Sequence, residues 1–264
     1  NCKSIKARKL KGYKGGPLKF KKFANTILLK NQTFKIIGSR LRIQGLRKKT
    51  FSLAGLDQLP DKYKIQSGKL VRNALGIYLH ISVLESEKTE VPQAKKIIGV
   101  DLGIKDAFTF SEGTTINVDF SESEKQIRKA HKQFSRKKKD SRNRQKAKYQ
   151  LNKKYQKLTN QKDDAAKKVL NKLKPYTVCF QDEMIKSWAK LFGRKVQKGI
   201  LGRVKAGLKS NPDNVMIPRK EPTTQLCPEC GTLNKLKLSD RIYKCSCGYE
   251  KSRDVHAAQN MILF

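Results

Sequence analysis

The stretch "IIGVDLGIKDAFTFSEG", from Ile97 to Gly113, decides how the second half of the chain is read. Small and apolar residues lead straight into Asp101, a turn at Gly103 follows, and a second apolar run begins at Ala107. A buried strand seldom ends on a bare carboxylate, because an unpaired ionised group away from water is costly. "TTINVDF" (Thr114 to Phe120) adds a further short strand. The pattern predicts a compact antiparallel meander with an acid that needs company.

Working outward, "YTVCFQDEMIKSW" (Tyr176 to Trp188) reads as a buried strand followed by a helical or loop segment. Within it Cys179 is expected to be a small core residue. Side chains alternate along an extended strand, so Gln181 and Glu183 should share one face and Asp182 the other. "GRKVQKGILGRVKAGLK" predicts a helix with Val196, Ile200, Leu201, Val204 and Leu208 at helical spacing, and "NVMIP" a last short strand. Between Ser121 and about Lys174, helix formers dominate, and Ile127, Phe134, Tyr149, Leu151, Tyr155 and Leu158 are sparse. That predicts two or more helices with narrow apolar stripes, broken near "KKKDSRN". The sum is a mixed α/β sheet.

Residues 17 to 92 read differently. "TILLKNQTFKIIG", "RLRIQGL" and "ALGIYLHISVLES" cluster strand-favouring residues between Gly, Asn and Asp breaks, which suits a small barrel or sandwich. Lysines and arginines interleave with Phe20, Phe23, Phe34 and Tyr78, a pattern that suits a phosphate backbone with some base stacking. The plainer alternative puts those aromatics in the core. "PQAKK" links this region to Ile97.

With 264 residues and 37% hydrophobic content the chain can bury a proper core in two or three units. Lys and Arg number 60 against 22 Asp and Glu, a net charge of +38. Such an excess repels itself, and a polyanion is the simplest compensation. No apolar stretch has spanning length and no signal-peptide pattern is present, which argues against a membrane and for a cytoplasmic setting. The chain begins at Asn1 and ends inside an apolar run at Phe264, so it is expected to be part of a longer protein.

Four of the six cysteines lie near the end, as "CPECG" (Cys227, Cys230) and "CSCG" (Cys245, Cys247), with fourteen residues between the pairs. Two turns that each deliver two thiolates can close a tetrahedral shell around zinc, with a hairpin between them. Disulfide pairing is the competing reading, and nothing points to secretion. Directly after comes "KSRDVHAAQNMI", where Asp254 precedes a helix whose apolar face is Ala257, Ala258, Met261 and Ile262. Asp is common at that place as an N-cap. Yet separate carboxylates in so basic a chain also ask for a cation. Magnesium takes oxygen ligands and phosphate oxygens, and two such ions can drive hydrolysis of a phosphodiester. The order strand acid, helices, strand acid, ribbon, helix acid fits an RNase H-like fold.

"IGVDLGIKDAFTF", "SRKKKDSRNRQKAK", "FQDEMIKSW", "PTTQLCPECGTLN" and "CSCGYEKSRDVHAAQNMI" together resemble TnpB, the transposon-encoded RNA-guided nucleases related to type V CRISPR effectors. The likeness runs from about Gly99 to Ile262. It implies a magnesium-dependent RuvC nuclease in three segments with a zinc ribbon before the third: residues 93–221, the ribbon at 222–250, and 251–264. Residues 1–92 resemble that family's wedge domain. Asp101 is carried over as the first acid and Asp254 as the last; guide RNA and target DNA are the implied partners, met in the cytoplasm or on the nucleoid. Base pairing then reads the sequence, while protein reads a flanking motif and the backbone.

The usual middle glutamate is Gln181 here. Glu183, on the same predicted face, is assigned in its place, with Glu221 a weaker substitute. The alternative is a nuclease-dead, RNA-guided DNA-binding repressor. Arg136, Arg142 and Arg144 are candidate nucleic-acid contacts. The family's N-terminal helical recognition lobe is not evident in these residues.

Overall fold

The computed structural model describes residues 10–12, 24–46, 49–85, 95–193, 196, 199–237 and 239–264; Cys2, Phe20 and Phe23 lie outside them. The chain divides into two units, residues 1–90 and 91–264.

In the first unit, β1 (Thr26–Lys30), β5 (Tyr63–Arg72) and β6 (Ile77–Glu85) form one antiparallel sheet in the order β1-β5-β6. The strands β2 (Phe34–Ile37), β3 (Arg40–Ile43) and β4 (Thr50–Ser52) form another. Buried Leu29, Phe34 and Leu41 gather Ile36, Ile43, Leu53, Ile65, Leu70 and Leu79 into one core. Residues from both sheets share it, so among the described residues the arrangement is two sheets across one core and not a closed ladder. Phe34 is core, whereas Tyr78 stays 44% exposed.

The second unit is mixed α/β. Strands β7 (Lys96–Leu102), β8 (Phe108–Phe110) and β9 (Thr115–Ile116) make an antiparallel meander. Strand β10 (Tyr176–Gln181) joins β7 in parallel, and β11 (Val215–Ile217) joins β10 in parallel. Parallel neighbours need long crossovers. Helices α1 (Ser121–Ser135) and α2 (Arg142–Leu173) supply the first, and α3 (Ile185–Leu191) with α4 (Leu201–Ser210) the second. The strand order is β11-β10-β7-β8-β9.

Strand alternation divides the chemistry between two faces. Ile98, Val100, Leu102, Val178 and Phe180 point into the main core with Ala166, Val169 and Leu173 of α2 and Leu201, Val204 and Leu208 of α4. Gly99, Asp101, Cys179 and Gln181 point to the other face. There Cys179 packs with Ile217 and Met261, as a core residue. The long helix α2 meets α1 through Leu151, Leu158, Ile127 and Ala130, leaving Tyr149 and Tyr155 exposed.

The second face is covered by α5 (Arg253–Asn260), which follows directly on the hairpin β12 (Ile242–Lys244) and β13 (Glu250–Ser252). Helix and strand touch backbone to backbone: a Cβ placed on Gly99 would overlap the Ala258 carbonyl. Ala257, Ala258 and Met261 are buried as expected, but Ile262 is 38% exposed. Gly99→Ala is therefore expected to force α5 off β7 at a cost of about 1–3 kcal/mol, read as a lowered denaturation midpoint with an unchanged m-value.

Candidate functional site

Asp101 lies one residue from the end of β7, paired with Thr109 of β8, and keeps a partial opening to solvent. Burial is the largest influence on it and pushes its pKa up to about 7. The charges of Asp254 and Glu183 add to the rise, and Arg253 opposes it. Asp254 and Glu183 are thus both within electrostatic reach of Asp101. Glu183 is itself raised by burial, against the opposing charges of Lys205 and Arg219.

Asp254 stands in the first turn of α5, where the helix end favours a carboxylate. It is not the N-cap, a place held by Ser252. Arg253 Nε lies 3.1 Å from Asp254 Oδ1.

The alternation from which a shared face of Gln181 and Glu183 was expected does not reach Glu183, because β10 ends at Gln181. The Glu183 N–H turns back to the Gln181 carbonyl at 2.8 Å, which breaks the alternation. The register that sets Cys179 beside Gly99 and Phe180 beside Val100 carries Gln181 to the level of Asp101. Its side chain, however, serves the loop ahead of the ribbon. Gln181 Nε2 donates to the carbonyls of Glu221 (2.8 Å), Pro218 (3.3 Å) and Arg219 (3.3 Å), and Oε1 accepts from Thr223 Oγ1 at 3.1 Å. Glu221 enters this network through its carbonyl, and Asp101 is raised by Glu183 instead. Asp182 pairs with Lys205 at 2.5 Å, whose hydrogen bond holds its carboxyl below the usual range.

Cys227, Cys230, Cys245 and Cys247 bring their Sγ atoms within 4.8 Å of one another. Cys227 and Cys247 are 3.6 Å apart, and Cys230 and Cys245 3.5 Å. A tetrahedral zinc with Zn–S of about 2.3 Å requires edges of about 3.8 Å, so the donor set fits zinc. Each pair sits on a turn closed by a left-handed glycine: Gly231 (φ 72°) returns its N–H to Cys227 and Gly248 (φ 94°) to Cys245, both at 3.0 Å. The single residue between Cys245 and Cys247 does not keep their thiols apart.

The ribbon is fastened to α5 by residues that the sequence did not single out. Tyr243, fully buried, stacks on His256 with ring centroids 3.8 Å apart. Burial pushes the His256 pKa down to about 4, so the ring is neutral. Asn260 Nδ2 donates to the carbonyls of Thr223 (2.8 Å) and Leu226 (2.7 Å). Apart from an Asn four residues after a His, no periodic signal announces this joint.

Arg136 and Arg142 are exposed at the corner between α1 and α2. Arg144 is occupied there: Nη1 donates to the Lys137 carbonyl at 2.9 Å and the guanidinium lies 4.2 Å from the centre of the Phe134 ring. Among the described residues no helix is long and apolar enough to cross a membrane.

Residues 80–179 match a family profile described as "Probable transposase", and residues 211–261 match the "Cas12f1-like, TNB domain". A "Putative RNA-guided DNA endonuclease" of Streptomyces pristinaespiralis is 28% identical over 218 residues, 77% of this chain and 54% of that protein. A "Putative transposase" of Paramecium bursaria Chlorella virus 1 is 41% identical over 46 residues, 17% of this chain and 11% of its own. The chain thus spans about half the first relative and far less of the second. These matches agree with the resemblance to the TnpB family that the motifs carry.

Two outcomes follow from this geometry. Gln181→Glu would set a buried carboxylate against three carbonyl oxygens; it should lower the melting temperature and not restore a site, as calorimetry would show. Asp101, protonated more readily folded than unfolded, contributes stability at low pH that is lost as pH rises from about 4 to about 7. Asp101→Asn is therefore expected to be more stable than the parent at pH 8 in magnesium-free buffer, with the difference gone near pH 4.

Proposed function

We propose that this TnpB-like chain is the nuclease portion of an RNA-guided DNA endonuclease with a split RuvC centre. The observation that carries the reading is that the charges of Glu183, on the turn after β10, and of Asp254, on α5, both act on Asp101 of β7. Carboxylates of one sign are costly to gather unless a cation is to join them. The meander, the parallel crossovers and the helix packed on the opposite face support an RNase H-like reading of the sheet. On it, residues 93–221 and 251–264 are the nuclease segments, 222–250 the ribbon, and 1–92 a wedge-like unit.

Asp101, Glu183 and Asp254 would hold magnesium, which supplies activation of water and stabilisation of the leaving oxygen. The chain's own part is to carry these acids on elements whose packing brings Glu183 and Asp254 within reach of Asp101. Arg253 beside Asp254 restrains the repulsion at Asp101. Lys and Arg outnumber Asp and Glu by 38, which draws phosphate backbones to the surface against bulk repulsion. Exposed Arg136 and Arg142 suit contact with guide RNA or heteroduplex, while Arg144 shapes the corner that presents them. The four-cysteine ribbon, with zinc, would fix the path from β11 to α5 and so the place of Asp254.

The test is cleavage of matched DNA by the guide-loaded protein with magnesium. Glu183→Gln should lower cleavage roughly 100-fold or more while DNA binding persists, and Glu221→Gln should leave cleavage near the parent's. Tight, guide-dependent binding by the parent with no strand scission would replace this reading with the repressor.

A further inference from the structure

Glu183 is held differently from the other two acids. Asp101 belongs to a strand ladder and Asp254 to a helical turn, so backbone hydrogen bonds fix both. Glu183 comes two residues after the end of β10 and belongs to no ladder. A side chain on such a turn needs another restraint if its oxygens are to stay within the roughly 0.5 Å that a preorganised site demands.

One restraint lies across from it on α4. The Lys205 ammonium is 2.5 Å from Asp182 Oδ1 and 2.5 Å from the Glu183 carbonyl oxygen, with its side chain only 17% exposed. Its root cannot drift, because Val204 and Leu208 beside it are buried in the main core. The Asp182 N–H reaches the Ile217 carbonyl at 2.9 Å, and the Glu183 carbonyl also accepts from Ile185 at 3.0 Å. Two consecutive residues thus share one nearly buried cation. Pinned there, the backbone leaves the Glu183 side chain on the side where its charge acts on Asp101.

We propose that Lys205 is the positioning residue of the acidic centre, its ammonium clamping the Asp182–Glu183 turn so that Glu183 completes a divalent-cation site with Asp101 and Asp254. The inference rests on Glu183 being the middle acid. Its sign distinguishes it from simple electrostatics. Removing a positive charge beside Glu183 should by itself strengthen cation binding. Releasing the turn should weaken it.

The experiment is titration of the full zinc-loaded chain with Mn²⁺, free ion being read by electron paramagnetic resonance. Lys205→Met is expected to weaken Mn²⁺ binding about 10-fold, and Lys205→Arg, which keeps charge and donors, to recover most of the loss. Equal or tighter binding by Lys205→Met overturns the proposal. If Lys205→Met does not fold, Lys205→Gln, with a shorter reach and no charge, takes its place with the same expectation. Glu183→Gln separates the two levels. Unchanged Mn²⁺ affinity there removes the middle-acid reading and the clamp with it. Weakened affinity there, beside unchanged Lys205→Met, removes the clamp alone.

Discussion

The elements that carry Asp101 and Asp254 are joined at one close approach, that of the β7 backbone at Gly99 to the α5 backbone at Ala258. Asp101 lies two strand residues beyond this contact, about 7 Å along, and Asp254 four helical residues before Ala258, about 6 Å. Strand and helix therefore carry their acids off the contact by matching lengths. Any side chain at Gly99 would part the two elements. The parallel pairing of β10 with β7 then leads into the turn of Asp182 and Glu183, to both of which the Lys205 ammonium donates.

Such a gathering works against itself. Burial and two like charges raise Asp101 toward neutrality, while Arg253 and a backbone hydrogen bond at Leu102 pull the other way. The imbalance is local in a chain of +38, and the acids sit on the sheet face away from the main apolar core. The core gives rigidity on one side of the sheet, while the other side sets Asp101 beside a small cluster of Cys179, Ile217 and Met261. The ribbon belongs to this second side. Its stack of Tyr243 on His256 makes the first turns of α5 an extension of a cysteine-bound module.

Much of this was legible in the residues. Asp101 after an apolar run, the spacing of Cys227, Cys230, Cys245 and Cys247, and the break at "KKKDSRN" are local signals. Strand, knuckle and helix break follow from them without tertiary context. Local rules were weakest at element ends: one was carried past the end of a strand and another set a helix start too late. Alternation placed Glu183 with Gln181, but β10 stops at Gln181. Capping preference suggested Asp254 as N-cap, but the N-cap is Ser252, two residues earlier. Lys205, Asn260 and the stacked pair had no sequence signal, because their meaning comes from partners at least nine residues away or on another element.

The glutamine at position 181 has a historical side as well. All of its amide atoms are spent on a neighbouring loop, so its identity is tied to the path of residues 218–223. A lineage that changed it alone would give up the bonds that hold that loop. Position 181 and the loop form an epistatic unit, free to drift together and frozen when apart.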